Sequence, residues 1–98
     1  MQLNNHQVRH LRGLAHALRP VVRVGGKGLT ETVLAELELA LEHHELVKVQ
    51  VAIDDREARS GIVEALVTRS RAQTVQKIGK VVCLYRRHPE TPRIELPR

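Results

Sequence analysis

Apolar and polar positions follow each other along this chain with two different periods, and the changes of period mark its elements of secondary structure. From Val8 to Leu18 the apolar residues stand three or four apart, which predicts a helix with one buried face. Asn4 or Asn5 precedes this run and can accept a hydrogen bond from a free amide at the helix start. Pro20 excludes the helical conformation at the residue before it, so we expect the helix to stop there.

Four short segments show the residue types and alternation of strands. The short segment Val21-Val22-Arg23-Val24, with three β-branched residues, predicts the first strand. The run Leu46–Ile53, in which apolar residues alternate with polar ones, predicts a second strand with one better-buried face. Gln73–Ile78 and Val81–Arg86 predict the last two strands. Gly79-Lys80 separates them, and a two-residue loop that opens with glycine favours a type II′ hairpin turn.

Two further helices are predicted between these strands. Thr30 can cap the first, and apolar residues at positions 33, 34, 37 and 41 form its buried stripe. Asp54 and Asp55 can cap the second, whose inward-facing residues are those at positions 58, 62, 66 and 63. This last helix fades near Ser70.

The resulting order, α-β-α-β-α-β-β, predicts an α/β fold. Strands joined through a helix pair in parallel by right-handed crossovers, whereas the final hairpin is antiparallel. We therefore expect a two-layer α/β sandwich with a mixed four-stranded sheet, in one domain over residues 1–98. Its core is expected over about residues 3–87. Residues 88–98, which contain three prolines, form an irregular tail in which residues 93–96 are a candidate edge strand.

Composition limits the classes of protein to which the chain can belong. Its 98 residues contain one cysteine, which excludes an internal disulfide framework and indicates a reducing compartment. No apolar run approaches the ~18 residues of a membrane span. Residues 1–10 lack the apolar stretch of a signal peptide. We therefore expect a cytoplasmic protein without a membrane partner.

Charge is distributed unevenly along the chain, which carries a net charge of +5. Residues 1–30 contain basic residues and no acidic residue, residues 31–64 are predominantly acidic, and residues 65–98 are again basic. Two basic thirds around an acidic middle predict a molecule with one positive side, which suits a bound polyanion. By charge alone, an ordinary basic surface is an equal alternative.

The turn Gly25-Gly26-Lys27-Gly28 lies between a predicted strand and a predicted helix, where many proteins bind phosphate. Glycines let a backbone approach closely, and a helix start presents free amides and a positive dipole. The P-loop and dinucleotide motifs do not fit, because Gly28 follows Lys27 and Glu31 takes the last glycine position. A Gly-x-x-Gly loop does fit, and in KH domains such a loop clamps a nucleic-acid backbone. By spacing alone, a purely structural turn is an equal alternative.

No other group of residues forms a convincing catalytic or metal site. His6 and His10 share a helix face without a third ligand. Cys83 stands among apolar residues of a predicted strand, which favours a buried thiol over a nucleophile. Because no nucleophile is accompanied by a base and an orienting group, we expect no enzymatic activity, metal, cofactor or small-molecule substrate.

Tyr85 is the only aromatic residue, so binding dominated by base stacking is excluded. Affinity for RNA then has to come from phosphate contacts and backbone amides, and it is expected to fall steeply with salt. Such binding favours folded RNA over a strict sequence.

Six segments of the chain, taken in order, form a pattern that is more specific than the glycine loop alone. They are Leu11-Arg12-Gly13-Leu14-Ala15-His16, Pro20-Val21-Val22, Gly25-Gly26-Lys27-Gly28-Leu29-Thr30, Glu42-His43-His44-Glu45-Leu46-Val47-Lys48-Val49, Ile78-Gly79-Lys80 and Leu84-Tyr85-Arg86. The pattern resembles the CRM domain, the chloroplast RNA splicing and ribosome maturation domain, over about residues 3–87. The short chain is similar to the stand-alone bacterial, YhbY-type members of that family.

The resemblance implies an RNA-binding domain with the fold of the C-terminal domain of bacterial translation initiation factor three. It also implies a role in large-subunit ribosome assembly, with precursor or mature large-subunit ribosomal RNA as the partner. The family's Gly-x-x-Gly loop corresponds to Gly25 and Gly28. For the run Glu42–Glu45, which also belongs to the pattern, we favour an interpretation as capping of a helix end. The predicted RNA-binding residues are Arg12, His16, Arg19, Arg23, Gly25, Gly26, Lys27, Gly28, Lys80 and Arg86.

Two other functions stay open at this point. One is a protein-interaction module, in which the acidic middle helix docks a basic partner. The other is a small phosphate-handling enzyme, which the absence of a catalytic set disfavours.

Overall fold

The computed structural model describes residues 2–98 and contains the seven predicted elements in the predicted order. None of the helices in this range is long and apolar enough to cross a membrane. Residues 93–96 do not form the suggested edge strand, because two of their amides bind a side chain instead. The elements are α1 (Asn5–Ala15), β1 (Pro20–Val24), α2 (Glu31–His44), β2 (Leu46–Val51), α3 (Arg56–Ser70), β3 (Gln73–Ile78) and β4 (Val81–Tyr85).

The four strands form one mixed sheet in the order β1-β2-β4-β3, which confirms the predicted α/β class. β1 and β2 are parallel, with Val22 opposite Val49, because α2 carries the chain back between them. β4 is antiparallel to both of its neighbours, and Val82 lies opposite Val49 and Lys77. Gly79, the first residue of the β3–β4 turn, has a φ of 57°, as a type II′ turn requires.

One face of the sheet is covered by α2 and α3. The alternating valines of β2 are buried on this face, as the sequence predicted. Leu37 and Leu41 of α2 and Val63 and Leu66 of α3 pack against them. Because burying one such side chain contributes roughly 1.5–3 kcal/mol, these contacts hold both helices on the sheet.

α1 lies on the opposite face. Its Leu11 and Ala15 pack against side chains of β2 and β4, which are those of Leu46, Cys83 and Tyr85. The residues next to these along each strand point to α2 and α3, because side chains alternate between the two faces of a sheet. Helices therefore cover both faces, and the molecule has three layers where the sequence analysis expected two. The right-handed crossover rule places α2 and α3 on one face, but it does not apply to α1, which joins no parallel strands.

Polar side chains cap all three helices. At α1, Asn4 Oδ1 accepts from the amide of Gln7 at 2.8 Å, and Gln7 Oε1 accepts from the amide of Asn4 at 3.0 Å. This reciprocal pair satisfies two amides that have no partner within the helix. Thr30 caps α2 and Asp55 caps α3, as the sequence predicted.

α1 ends earlier than predicted. The helix stops at Ala15, and the amide of Leu18 donates to the carbonyl of Ala15 at 2.9 Å in a following turn. Leu18, which the helical spacing places on the buried stripe, is instead 38% exposed. Pro20 thus opens β1 and does not itself terminate the helix.

A buried carboxylate holds the C-terminal tail, residues 86–98. Glu45 lies between α2 and β2 with no exposed surface, and its φ of 63° and ψ of −44° are strained for a residue with a side chain. Its Oε1 accepts from the amides of Arg93 (2.7 Å) and Ile94 (2.8 Å), and its Oε2 accepts from the amide of His88 (2.8 Å). Burial alone raises the pKa of Glu45, but these backbone hydrogen bonds outweigh it and hold the pKa below its ordinary value.

Candidate nucleic-acid interface

The glycine loop forms a tight turn between β1 and α2. The amide of Gly28 donates to the carbonyl of Gly25 at 2.9 Å, which closes the turn around Gly26 and Lys27. Gly28 has a φ of 74°, a conformation that glycine adopts without strain. The loop is therefore ordered by its own backbone, with two residues at its tip.

The tip of this turn is exposed and offers hydrogen-bond donors. Gly26 and Lys27 are both exposed, and their amides have no acceptor among residues 2–98. No atom lies within 4 Å of the position that a side chain on Gly26 would occupy. A phosphate oxygen can therefore approach these two amides, with the Lys27 ammonium beside them.

Arg23 lies next to the loop. Its Nη1 is 3.2 Å from the position that a Cβ atom would take on Gly25, so the guanidinium sits against the loop backbone. The side chain of Arg23 is exposed at the end of β1. Two cations, Arg23 and Lys27, are thus brought to one small glycine turn.

The helix start that follows the loop is already capped. Thr30 Oγ1 accepts from the amide of Val33 at 3.2 Å, and Glu31 adds a negative charge in the first turn of α2. Both features stabilise the positive end of the helix dipole internally. The donors available to a ligand are therefore those of the turn itself.

Hydrogen bonds between neighbouring strands place Lys80 at the same end of the sheet as the loop. The amide of Ala52 donates to the carbonyl of Val24 at 2.8 Å, and the amide of Val51 donates to the carbonyl of Lys80 at 2.7 Å. Lys80 Nζ contacts Asp54 Oδ1, and this hydrogen bond and charge lower the pKa of Asp54. Since neighbouring strands are ~4.8 Å apart, Lys80 lies about 10 Å from β1.

Arg12, His16 and Arg19 are not brought to the loop. Arg12 Nε donates to the carbonyl of Val75 at 3.3 Å, which ties it to β3 at the far edge of the sheet. His16 caps the end of α1 on the opposite face. Arg19 precedes β1, whose five residues separate it from the loop by roughly 16 Å.

Arg86 is engaged within the fold. Its Nη1 lies 2.9 Å from both carboxylate oxygens of Glu38 and donates to the carbonyl of Ser70 at 2.9 Å, while its Nη2 lies 3.6 Å from Glu42. It follows β4 at the end of the sheet opposite the loop. Its donors join α2 to the end of α3, so the structure does not bring Arg86 to the loop.

Glu31, Glu38 and Glu42 of α2 have side-chain partners within the chain. Glu42 Oε1 lies 2.9 Å from His88 Nε2, and the carbonyl of Glu42 accepts from Arg93 at 2.9 Å. Together with Glu45, these contacts bind the C-terminal tail. His43 Nδ1 lies 2.8 Å from the carbonyl of Leu39, as expected for capping of the helix end.

Tyr85 and Cys83 are both buried beneath α1. Burial raises the pKa of each, so neither the phenol nor the thiol is ionised near neutral pH. The ring of Tyr85 is inaccessible to a base. Residues 2–98 contain no group of three or more His, Cys, Asp or Glu side chains suited to a metal ion.

Two basic residues near the loop end of the sheet were not predicted from the sequence as functional residues. Arg56 and Arg59, in the first turns of α3, line an open cleft of about 420 Å³ with Lys77 and Lys80 of the β3–β4 hairpin. The signal was present in the pair of arginines three residues apart, directly after the cap Asp55, but their acidic surroundings in the sequence obscured it.

Comparison with known families identifies the chain. The family model of the CRS1/YhbY (CRM) domain matches residues 3–86. This chain belongs to the CRM domain family. The family pattern that the sequence analysis proposed is thereby confirmed, and the match of the CRM model runs from the residue before the α1 cap to the residue after β4.

Individual CRM relatives align over almost the whole chain. An RNA-binding protein of Haemophilus influenzae is 53% identical over 98% of this chain and 96% of its own length. Probable RNA-binding protein YqeI of Bacillus subtilis is 41% identical over 97% of this chain and 99% of its own length. The solution structure of SAV1595 from Staphylococcus aureus has a TM-score of 0.83 and 34% identity, over 98% of this chain and 100% of that one.

Proposed function

We propose that this protein binds RNA, without chemical conversion of it, through the turn Gly25–Gly28. The observation that carries the proposal is the pair of exposed amides at Gly26 and Lys27 that have no acceptor among residues 2–98. Membership of the CRM family, and relatives named as RNA-binding proteins, support the same function. Arg23 and Lys27 supply the positive charge at this turn.

The mode of binding follows from the donors at the site. Backbone amides and basic side chains bind phosphate oxygens and read no base edge. With Tyr85 buried, no aromatic ring is available to stack on a base. Such a site recognises the shape of the RNA sugar–phosphate backbone. It therefore favours folded RNA over a particular base sequence.

The natural partner in this proposal is precursor or mature large-subunit ribosomal RNA, bound in the cytoplasm during ribosome assembly. The sequence resemblance to ribosome-maturation domains supports that partner, and recognition by backbone shape suits a large folded RNA. Crosslinking in cells, followed by sequencing of the attached RNA, tests it. Enrichment of large-subunit precursor RNA is expected, and scattered messenger RNA is the contrary result.

The proposed contact surface is smaller than the set of residues predicted from sequence. It consists of the turn, Arg23 and Lys80, which lie at one end of the sheet. The residues on and after α1 lie elsewhere, and Arg86 is engaged with Glu38.

A filter-binding titration of a folded fragment of large-subunit ribosomal RNA tests the site. Arg23→Ala combined with Lys27→Ala is expected to weaken binding about tenfold or more, because two charge-assisted contacts are lost. Arg9→Gln with Arg87→Gln removes the same charge from exposed positions outside the site and serves as the control. Equal affinity of both double variants contradicts the site.

A further inference from the structure

The cleft between α3 and the β3–β4 hairpin has an apolar floor and a basic rim. Val51, Val63 and Val82 form the buried floor. The rim carries positive side chains from both walls, and none of the lining residues is acidic. Its volume of about 420 Å³ lies in the range of small-ligand sites.

Two of the four cations on the rim are uncommitted. Arg56 and Lys77 have neither a hydrogen bond nor an ion pair among residues 2–98, and they line the cleft from α3 and from β3. Unpaired cations held on two rigid elements are a favourable arrangement for a phosphate.

The other two cations are held in place by short-range contacts. Arg59 Nη1 donates to the carbonyls of Ile53 (2.8 Å) and Asp54 (3.2 Å), which fixes its guanidinium at the rim. Lys80 contacts the carboxylate of Asp54, whose side chain is 95% exposed. Because exposed ion pairs are weak, a phosphate can replace Asp54 as the partner of Lys80.

The cleft and the glycine turn lie at the same end of the sheet. Hydrogen bonds from Ala52 to Val24 and from Val51 to Lys80 join the turn, the segment 52–54 and the hairpin along one end of the sheet. From β1 to β4 and β3, this end spans about 10–14 Å, which corresponds to roughly three or four stacked nucleotides.

We propose that this cleft is a second phosphate-binding position, which receives the backbone of the same RNA strand that the turn Gly25–Gly28 holds. The inference rests on the proposed function of that turn, and it assigns a direction to the bound strand, across the end of the sheet from β1 to β3. Arg56 and Lys77 bind its phosphates directly, and Lys80 joins them by release from Asp54.

The first test removes the uncommitted cations. Arg56→Gln with Lys77→Gln is expected to weaken binding of the folded ribosomal RNA fragment about tenfold. It is also expected to reduce the slope of log affinity against log salt by about 1.4–1.8, the value for two lost phosphate contacts. The matched control is again Arg9→Gln with Arg87→Gln. Affinity and slope equal to those of the control overturn the second position.

The second test is a gain of affinity. Asp54→Asn frees Lys80 and removes the negative charge beside the cleft, so we expect RNA binding to tighten about twofold or more at low salt. Glu90→Gln removes one negative charge from the exposed tail as the control. Tightening in both variants alike, or in neither, contradicts a phosphate at Lys80.

The two proposals fail in different ways. If the turn variant Arg23→Ala/Lys27→Ala binds weakly while the cleft variant binds as the control does, the second position is wrong and the proposed function stands. If only the cleft variant binds weakly, a strand shared with the turn is excluded.

Nuclear magnetic resonance titration of the unmodified protein with the same RNA adds a direct readout. Chemical-shift changes are expected at the amides of both Gly26 and Gly79. Changes confined to Gly26 contradict RNA binding in the cleft. If polyglutamate binds the cleft more tightly than the RNA does at equal charge concentration, the cleft is an acidic-protein site and the second position is wrong.

Discussion

The carboxylate of Glu45 and the amide of Ile94, 49 residues further along the chain, are joined by a hydrogen bond of 2.8 Å. The same carboxylate binds the amides of His88 and Arg93, so one side chain orders the irregular tail. A residue with a strained backbone persists only where its surroundings hold it firmly. Glu45 is the C-cap residue of α2, as predicted for the run Glu42–Glu45, and its side chain has this second role.

Replacement of Glu45 is expected to destabilise the protein. Glu45→Ala leaves three amides without acceptors and should lower the free energy of unfolding by about 3 kcal/mol or more, measured by urea titration followed by circular dichroism. Glu90→Ala, at an exposed position of the same tail, is the control. Unchanged hydrogen-exchange protection at Arg93 and Ile94 in Glu45→Ala contradicts the role of the carboxylate as an anchor.

Stability should fall in acid because of the same group. The pKa of Glu45 is lower in the folded protein than its ordinary value of 4.5, so the ionised form contributes stability that is complete above that pH. This contribution is lost as the pH falls from about 4.5 through the folded-state pKa. Glu45→Gln cannot ionise, so its unfolding midpoint should change less over this acid range than that of the unmodified protein. If the unfolding midpoints of Glu45→Gln and of the unmodified protein change equally with pH, the expectation is contradicted.

Two glycines of the loop should respond differently to substitution by alanine. Gly28→Ala forces a side chain into a φ of 74°, at a cost of about 1–2 kcal/mol in the free energy of unfolding. Gly26→Ala meets no atom within 4 Å, so the melting temperature should stay within a few degrees of the original. RNA affinity should nevertheless fall in Gly26→Ala, because the added methyl group stands where a phosphate approaches. Loss of stability without loss of affinity in Gly26→Ala is the opposite of this expectation.

Arg86 is expected to stabilise the fold and not to contact RNA. Arg86→Gln removes the contacts to Glu38, Glu42 and the carbonyl of Ser70, and we expect the free energy of unfolding to fall by about 1–2 kcal/mol. Affinity of the folded variant for the ribosomal RNA fragment should equal that of the Arg9→Gln/Arg87→Gln control after correction for charge. If the slope of log RNA affinity against log salt is reduced in Arg86→Gln but not in a variant of Glu38, a purely structural role of Arg86 is contradicted.

Tyr85→Phe should stabilise the fold or leave its stability unchanged. The hydroxyl of Tyr85 is buried and has no hydrogen-bond partner within the described part of the chain, and an unpaired buried polar group costs about 1–3 kcal/mol. Its removal keeps the ring that packs with Leu11 and Cys83. Thermal unfolding measures the difference, and a clear loss of stability indicates that the hydroxyl has a partner such as a buried water.

The elements of the fold could be predicted because each has a local signal. The alternating valines of β2 and the caps Thr30 and Asp55 are determined by residues close in sequence, and the structure confirms them. The face covered by α1 could not be predicted, because no crossover rule constrains a helix that precedes the first strand. The early end of α1 at Ala15 was not predicted either, because Pro20 is the first strong helix breaker in the sequence and the turn closed by the Leu18 amide precedes it.

The same distinction applies to the candidate site. The glycine turn is a local motif, and its position between β1 and α2 was predictable. From charge alone, Arg86 and Lys27 could not be distinguished. Arg86 is paired with Glu38, 48 positions away, whereas Lys27 is exposed. The cleft likewise required the structure, because it joins Arg56 to a hairpin more than twenty residues later.

Leu3 and Pro97, near the two ends of the described chain, lie away from the glycine turn. The amide of Leu3 donates to the side chain of Gln73 at 3.2 Å, and Gln7 Nε2 donates to the carbonyl of Pro97 at 3.0 Å. Gln73 opens β3 at the end of the sheet farthest from Gly79. A fluorophore, an affinity tag or a sensor-surface linkage attached through these ends is therefore expected to leave the glycine turn free to bind RNA.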